Sequence, residues 1–212
     1  MRTLLLGLAS GALLLGLARL AAAPLNPTTH HHANWAIMVN GTRVDLSADR
    51  FMEEISACTA GDDGIQPTQR IHMHESIQDI VHVHHEGATW GHLMTNLGLG
   101  LGDDWLFLDR GLVEGIDGVS PDGRLMSGSD GGRLVFVANG FVVPSLANRV
   151  VASEDRVLIA WTDGDVDTVL EDWFERVATN AGEYNELMDP ASCSGGHGTL
   201  PLLTRLRLAF WG

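Results

Sequence analysis

Alternating apolar and polar positions organise the first half of the chain. Residues 35–47, "WAIMVNGTRVDLS", carry two alternating runs around Asn40-Gly41. Asn-Gly between such runs marks a tight hairpin, because a type I′ turn needs positive φ at both central residues. Residues 48–57 read as a short helix or irregular cover, and "AGDDGIQPTQ" after them as loop. Alternation returns in "IHMHESIQDIVHVHH", residues 71–85, which predicts strands over about 70–75 and 80–86. The period then lengthens. In "GATWGHLMTNLG", Trp90, Leu93, Met94 and Leu97 recur at i, i+3, i+4 and i+7, Thr89 supplies a capping hydroxyl, and Gly98 stops the helix.

Residues 98–132 are rich in Gly and Asp and read mostly as loop, with a short strand at "WLFLD". "RLVFVANGFVVPS" repeats the Asn-Gly hairpin signal, Pro144 marks a strand end or an edge, and "DRVLIAWTDGD" supplies another strand. Val166, Val169, Leu170, Trp173, Phe174 and Val177 fall at helical spacing behind Asp165, a candidate cap. "YNELMDPASCSGGHG" reads as loop. The closing "TLPLLTRLRLAFWG" lacks the long cationic face of a membrane-surface helix and is expected to dock on the core.

This succession of hairpin, helix, loop, strand, turn and strand resembles the β-grasp of ubiquitin-like proteins and small sulfur carriers. The resemblance lies in "GATWGHLMTNLG" followed by "FVANGFVVPSLANRVVASEDRVLIAW" and covers about residues 70–162. It implies an α+β fold: a β-grasp-like mixed sheet with one packed helix, an extra N-terminal β-hairpin and a C-terminal helix. Sulfur carriers need a free Gly-Gly terminus, whereas this chain continues to "AFWG", so the resemblance carries the fold and not that activity. The expected organisation is a signal peptide or N-terminal anchor at 1–23, a linker and hairpin segment at 24–69, the β-grasp-like domain at 70–164, and a helix and tail at 165–212.

The histidines change the picture most. Strand residues alternate faces, so His72 and His74 share one face, as do His82 and His84. An even register, 72 with 84 and 74 with 82, sets all four on one face and leaves Ile71, Met73, Val81 and Val83 together on the other; a one-residue slip would mix the two sets. Imidazoles on adjacent strands can converge on one ion and suit zinc, copper, nickel or iron better than calcium or magnesium. His72, His74, His82 and His84 are therefore the candidate metal ligands. His30 and His32, from "HHHANW", and Glu75 are additional candidates, and Asp79 and Glu86 are nearby acids that could ligate or orient the ligands. His85 and His92 stay outside the set. The competing readings are solvated strand histidines and a pH sensor built on repulsion among protonated rings.

The same stretch resembles a motif of little-characterised secreted bacterial and archaeal proteins, in which a hydrophobic-His-Thr-His-Asp strand precedes Ile-His-Val-Glu and a helix opening Thr-Leu-Gly. His72, His74 and His82 match it directly. His84 stands where the motif has Glu, and Met73 and Glu75 replace its Thr and Asp.

Composition narrows the function further. The chain of 212 residues carries a net charge of −14, which repels phosphate backbones, excludes nucleic acid as a partner and attracts cations. Arg2, the apolar run 4–18 and the small-residue end Ala21-Ala22-Ala23 read as a secretory signal, the alternative being an uncleaved anchor through 4–18. Export places the protein outside the cell, in a periplasm or in the envelope. There Cys58 and Cys193 are expected to form a disulfide, with a thiolate metal ligand near His197 as the rival reading. "DGDVDTVLED" fails as a calcium loop, having Thr168 where Gly is required. Neither a nucleophile elbow nor a His-Glu-x-x-His motif occurs. The expectation is an exported copper- or zinc-binding protein for metal carriage, storage or sensing. The alternatives are a histidine-coordinated metalloenzyme and a structural or interaction module of the envelope without metal.

Overall fold

The computed structural model describes residues 11, 15–16, 29–53, 67–116, 122–128 and 131–186. These lie almost wholly within the compact unit Thr29–Gly195, to which everything below refers. Apart from residues 11, 15 and 16, the expected signal or anchor lies outside the described residues, as do Cys58, Cys193, His197 and the apolar C-terminal segment.

The strands, in chain order, are β1 His31–Val39, β2 Thr42–Arg43, β3 Ile71–His72, β4 Ile80–Val83, β5 Gly100–Leu101, β6 Trp105–Phe107, β7 Arg124–Met126, β8 Arg133–Ala138, β9 Phe141–Val143 and β10 Arg156–Thr162. A mixed sheet runs β3-β4-β1-β10-β8-β9, with β2 hairpinned onto β1. Only the β1–β10 pair is parallel among these; the others are antiparallel. With its helices the unit is a mixed α+β fold, as expected. Both Asn-Gly turns form as read: Asn40 and Gly41 have φ of 46° and 78°, Asn139 and Gly140 of 52° and 84°.

The first hairpin is not an appendage. β1 lies in the middle of the sheet, antiparallel to the histidine strand β4 and parallel to β10, so the sheet begins at residue 31 and not at 70. Its nine residues are almost all buried because both faces are covered. On one face Trp35, Ile37 and Val39 join Trp90, Leu93 and Met94 of the helix Trp90–Asn96 in the larger core. On the other, Ala36 and Met38 pack with Val169, Trp173, Phe174 and Val177. Those four residues come from the expected C-terminal helix, which is composite: α-helical over Val166–Thr168, π-helical over Val169–Trp173 and 3-10 over Phe174–Arg176. Asp165 caps it, its carboxylate accepting from the Asp167 N–H at 3.2 Å.

Thr89 caps the Trp90–Asn96 helix reciprocally: its hydroxyl accepts from the His92 N–H, and His92 Nδ1 accepts from the Thr89 N–H. His92 thus has a structural role at the helix start. Two loop expectations are corrected. Within 98–132 the chain forms a second, three-stranded sheet β5-β6-β7, built on the buried Leu101, Leu106 and Leu125. And "YNE" of the tail belongs to a helix, Ala181–Glu186.

Candidate metal centre

The site grows out of three adjacent strands. β4 lies between β1 and β3, and the registers place His32 opposite His82 and His72 opposite His82 on its other side. Parity is as the apolar pattern requires, but the pairing is shifted by two from the expected 72 with 84 and 74 with 82. The shift has a local cause. β3 ends at His72, Met73 turns aside to bridge Met52, and the chain then passes through left-handed Glu75 and Ser76, both at φ 58°. His74 therefore reaches the cluster from a turn, not from a strand. His84 sits one step beyond His82, its N–H donating to the Arg70 carbonyl.

Six rings gather on this face: His30, His32, His72, His74, His82 and His84. His82 is central. Its ring centre is 3.7 Å from that of His74, 4.4 Å from His32 and 6.0 Å from His72. His30 lies 4.8 Å from both His32 and His84, and His72 lies 5.0 Å from His84. One ligand atom from each of His30, His82 and His84 falls within 4.8 Å of the others, close enough to hold a metal ion. His82 Nε2 and both nitrogens of His84 are buried and have no hydrogen-bond partner among the described residues. A buried imidazole nitrogen without a partner forfeits the hydrogen bond it had in water, a loss that a bound metal would make good.

Neighbours fix two of the tautomers. Asn185 Oδ1 accepts the His32 backbone N–H at 2.9 Å and lies 2.9 Å from His32 Nδ1. An oxygen acceptor requires the proton on Nδ1, so the neutral ring presents Nε2 as its basic nitrogen. The Thr68 carbonyl does the same for His72 Nδ1 at 2.7 Å. Asn185 is itself placed by β1: Asn34 Oδ1 accepts the Ala181 N–H at 2.8 Å, and Asn34 Nδ2 donates to Asn180 Oδ1 at 2.9 Å. The helix Ala181–Glu186 is thus pinned beside the histidine face, where Tyr184 also approaches His32 at 5.8 Å between ring centres.

Electrostatics favour neutral rings. Burial, and then the neighbouring His74, push the His82 pKa far below its ordinary value. Burial, and then His72, take His84 down to about 2. Both rings are accordingly unprotonated, and able to bind a metal, well into the acid range.

Of the sequence candidates, His72, His74, His82 and His84 come together, and His30 and His32 join them through direct pairing of β1 with β4. Glu75 is half-exposed; its carboxylate stands 3.9 Å from His74 Nδ1, on the rim. Asp79 is paired with Arg43. His31 points to the other side, its Nε2 at 3.1 Å from the Val151 carbonyl. Asn185, Asn34 and Thr68 carried no signal in the sequence. No family model, no curated protein and no solved structure matches the chain.

Proposed function

We propose that the protein is an exported transition-metal-binding protein that holds copper or zinc on the histidine face of its sheet, for carriage, storage or sensing. The observation that carries this reading is the His30, His82 and His84 trio, with ligand atoms within 4.8 Å of one another. His82 Nε2 and both His84 nitrogens are buried there without a hydrogen-bond partner among the described residues. An all-imidazole donor set suits copper or zinc and is foreign to calcium and magnesium. Export is supported by the charged start, apolar run and small-residue end of residues 1–23. The strand order β4-β1-β10-β8-β9, with β1 parallel to β10, supports a β-grasp-like core carrying β3 as an added edge.

The test is to express the full chain with its own first 23 residues and measure the metal content of the protein recovered from the envelope and the medium. About one or more equivalents of copper or zinc in exported protein, lost in His82→Ala, is the expected result. Metal-free protein in an export fraction supplied with both metals would refute the binding reading, and protein retained in the cytoplasm would refute export.

A further inference from the structure

Six histidines offer more nitrogen donors than the roughly four that one zinc or copper ion takes. The tautomers and distances show how they divide. His32 donates Nδ1–H to Asn185 Oδ1, so its basic Nε2 faces His82 Nδ1 at 2.9 Å. His74 Nε2 faces the same His82 atom at 3.0 Å. One ring proton cannot serve both contacts well, and the two contacts, 2.9 and 3.0 Å, lie near the roughly 3.3 Å nitrogen–nitrogen edge of a tetrahedral site with metal–nitrogen bonds of about 2.0–2.1 Å. His82 Nδ1 is thereby committed to His32 and His74. Its other nitrogen, Nε2, is buried without a hydrogen-bond partner among the described residues, and His30 and His84 complete with His82 the trio of ligand atoms within 4.8 Å. A single ion cannot bind both nitrogens of one imidazole.

We propose that the histidine face holds two ions, with His82 between them giving Nδ1 to an ion shared with His32 and His74 and Nε2 to an ion shared with His30 and His84. His72, whose ring is nearer to His84 than to His74 or His82, belongs on the second side. Binding of the second ion displaces the remaining ring proton of His82 to solvent, leaving a bridging imidazolate; no bond other than N–H breaks and no redox partner is needed. This inference rests on the metal-binding reading above.

Cu(II) is the probe, since two copper ions joined through one imidazolate couple their unpaired spins. The full chain is titrated with Cu(II) against a competing chelator, and bound metal and the low-temperature electron paramagnetic resonance intensity are followed together. The expected result is two retained ions per chain, with an intensity that rises to the first equivalent and falls as the second enters. His30→Ala/His84→Ala and His32→Ala/His74→Ala are each expected to retain one ion with an unquenched signal. One ion per wild-type chain would overturn the proposal while leaving the metal-binding reading intact. Two ions with additive signals would overturn the bridge, and no retained ion would overturn both readings. The wild-type titration decides between these even if a double variant fails to fold.

Discussion

Burial of uncharged imidazoles links metal affinity, proton affinity and stability at single residues. His82 and His84 hold protons less tightly in the folded chain than in the unfolded one, where the ordinary value of about 6.5 applies. Between those values the unfolded state binds more protons, so stability of the metal-free protein is full above about pH 6.5 and falls as pH drops below it. The slope should reach about 1.4 kcal/mol per pH unit for each such histidine. Urea denaturation of metal-free protein at a series of pH values measures it, and a flat profile between pH 6.5 and 4.5 in wild type, matching that of His82→Ala, would contradict the assignment. Asn185 tests the tautomer lock. Asn185→Ala removes the acceptor that keeps the His32 proton on Nδ1, and loss of such a partner costs about 10- to 100-fold in metal affinity. Chelator competition on Asn185→Ala should show that loss with the ligands all present; unchanged affinity would remove His32 from the site.

At the scale of elements, local chemistry bounds the segments that carry the site. The Asn40-Gly41 turn ends β1, the left-handed Glu75 and Ser76 turn the chain after His74 back toward β4, and Asn34 docks the helix that carries Asn185. The Trp90–Asn96 helix supports the opposite face, Trp90 lying 6.2 Å from Trp35 between ring centres. Thr89→Ala removes its cap and should destabilise the fold by about 1 kcal/mol. Metal stoichiometry should stay unchanged, because the cap touches no histidine of the cluster; a variant with fewer ions would show that the helix and the site are coupled. Period-two alternation was enough to read His72, His82 and His84 onto one face, since any odd slip would expose Val81 and Val83. It could not reveal that His72 opposes His82, which depends on Met73 leaving the strand for Met52. Nor could it place β1 at the centre of the sheet, because its partner β10 lies far along the chain. His32 and Asn185, 153 residues apart, meet only through the docked helix. In sequence "YNE" reads with the loop that follows it, whereas contacts of Asn34 with Ala181 and Asn180 dock the helix that contains it.

For the molecule as a whole, metal and folding are linked by mass action. An ion that binds the folded face and not the unfolded chain stabilises by RT ln(1 + [L]/Kd), about 4 kcal/mol at a thousandfold excess over Kd. Scanning calorimetry with zinc should raise Tm in wild type and leave it unmoved in His30→Ala/His82→Ala/His84→Ala. The net charge of −14 adds a long-range pull on cations. Among the described residues no helix is long and apolar enough to cross a membrane.

The most direct test is equilibrium affinity. Zinc and copper dissociation constants of the full chain should be measured by competition with a chromophoric chelator, in wild type and in His30→Ala/His82→Ala/His84→Ala, with circular dichroism confirming that both are folded. The expected result is sub-micromolar binding in wild type, weakened at least a hundredfold in the folded triple variant. Equal affinity in the two proteins would mean that the histidine face of the sheet is not a metal centre.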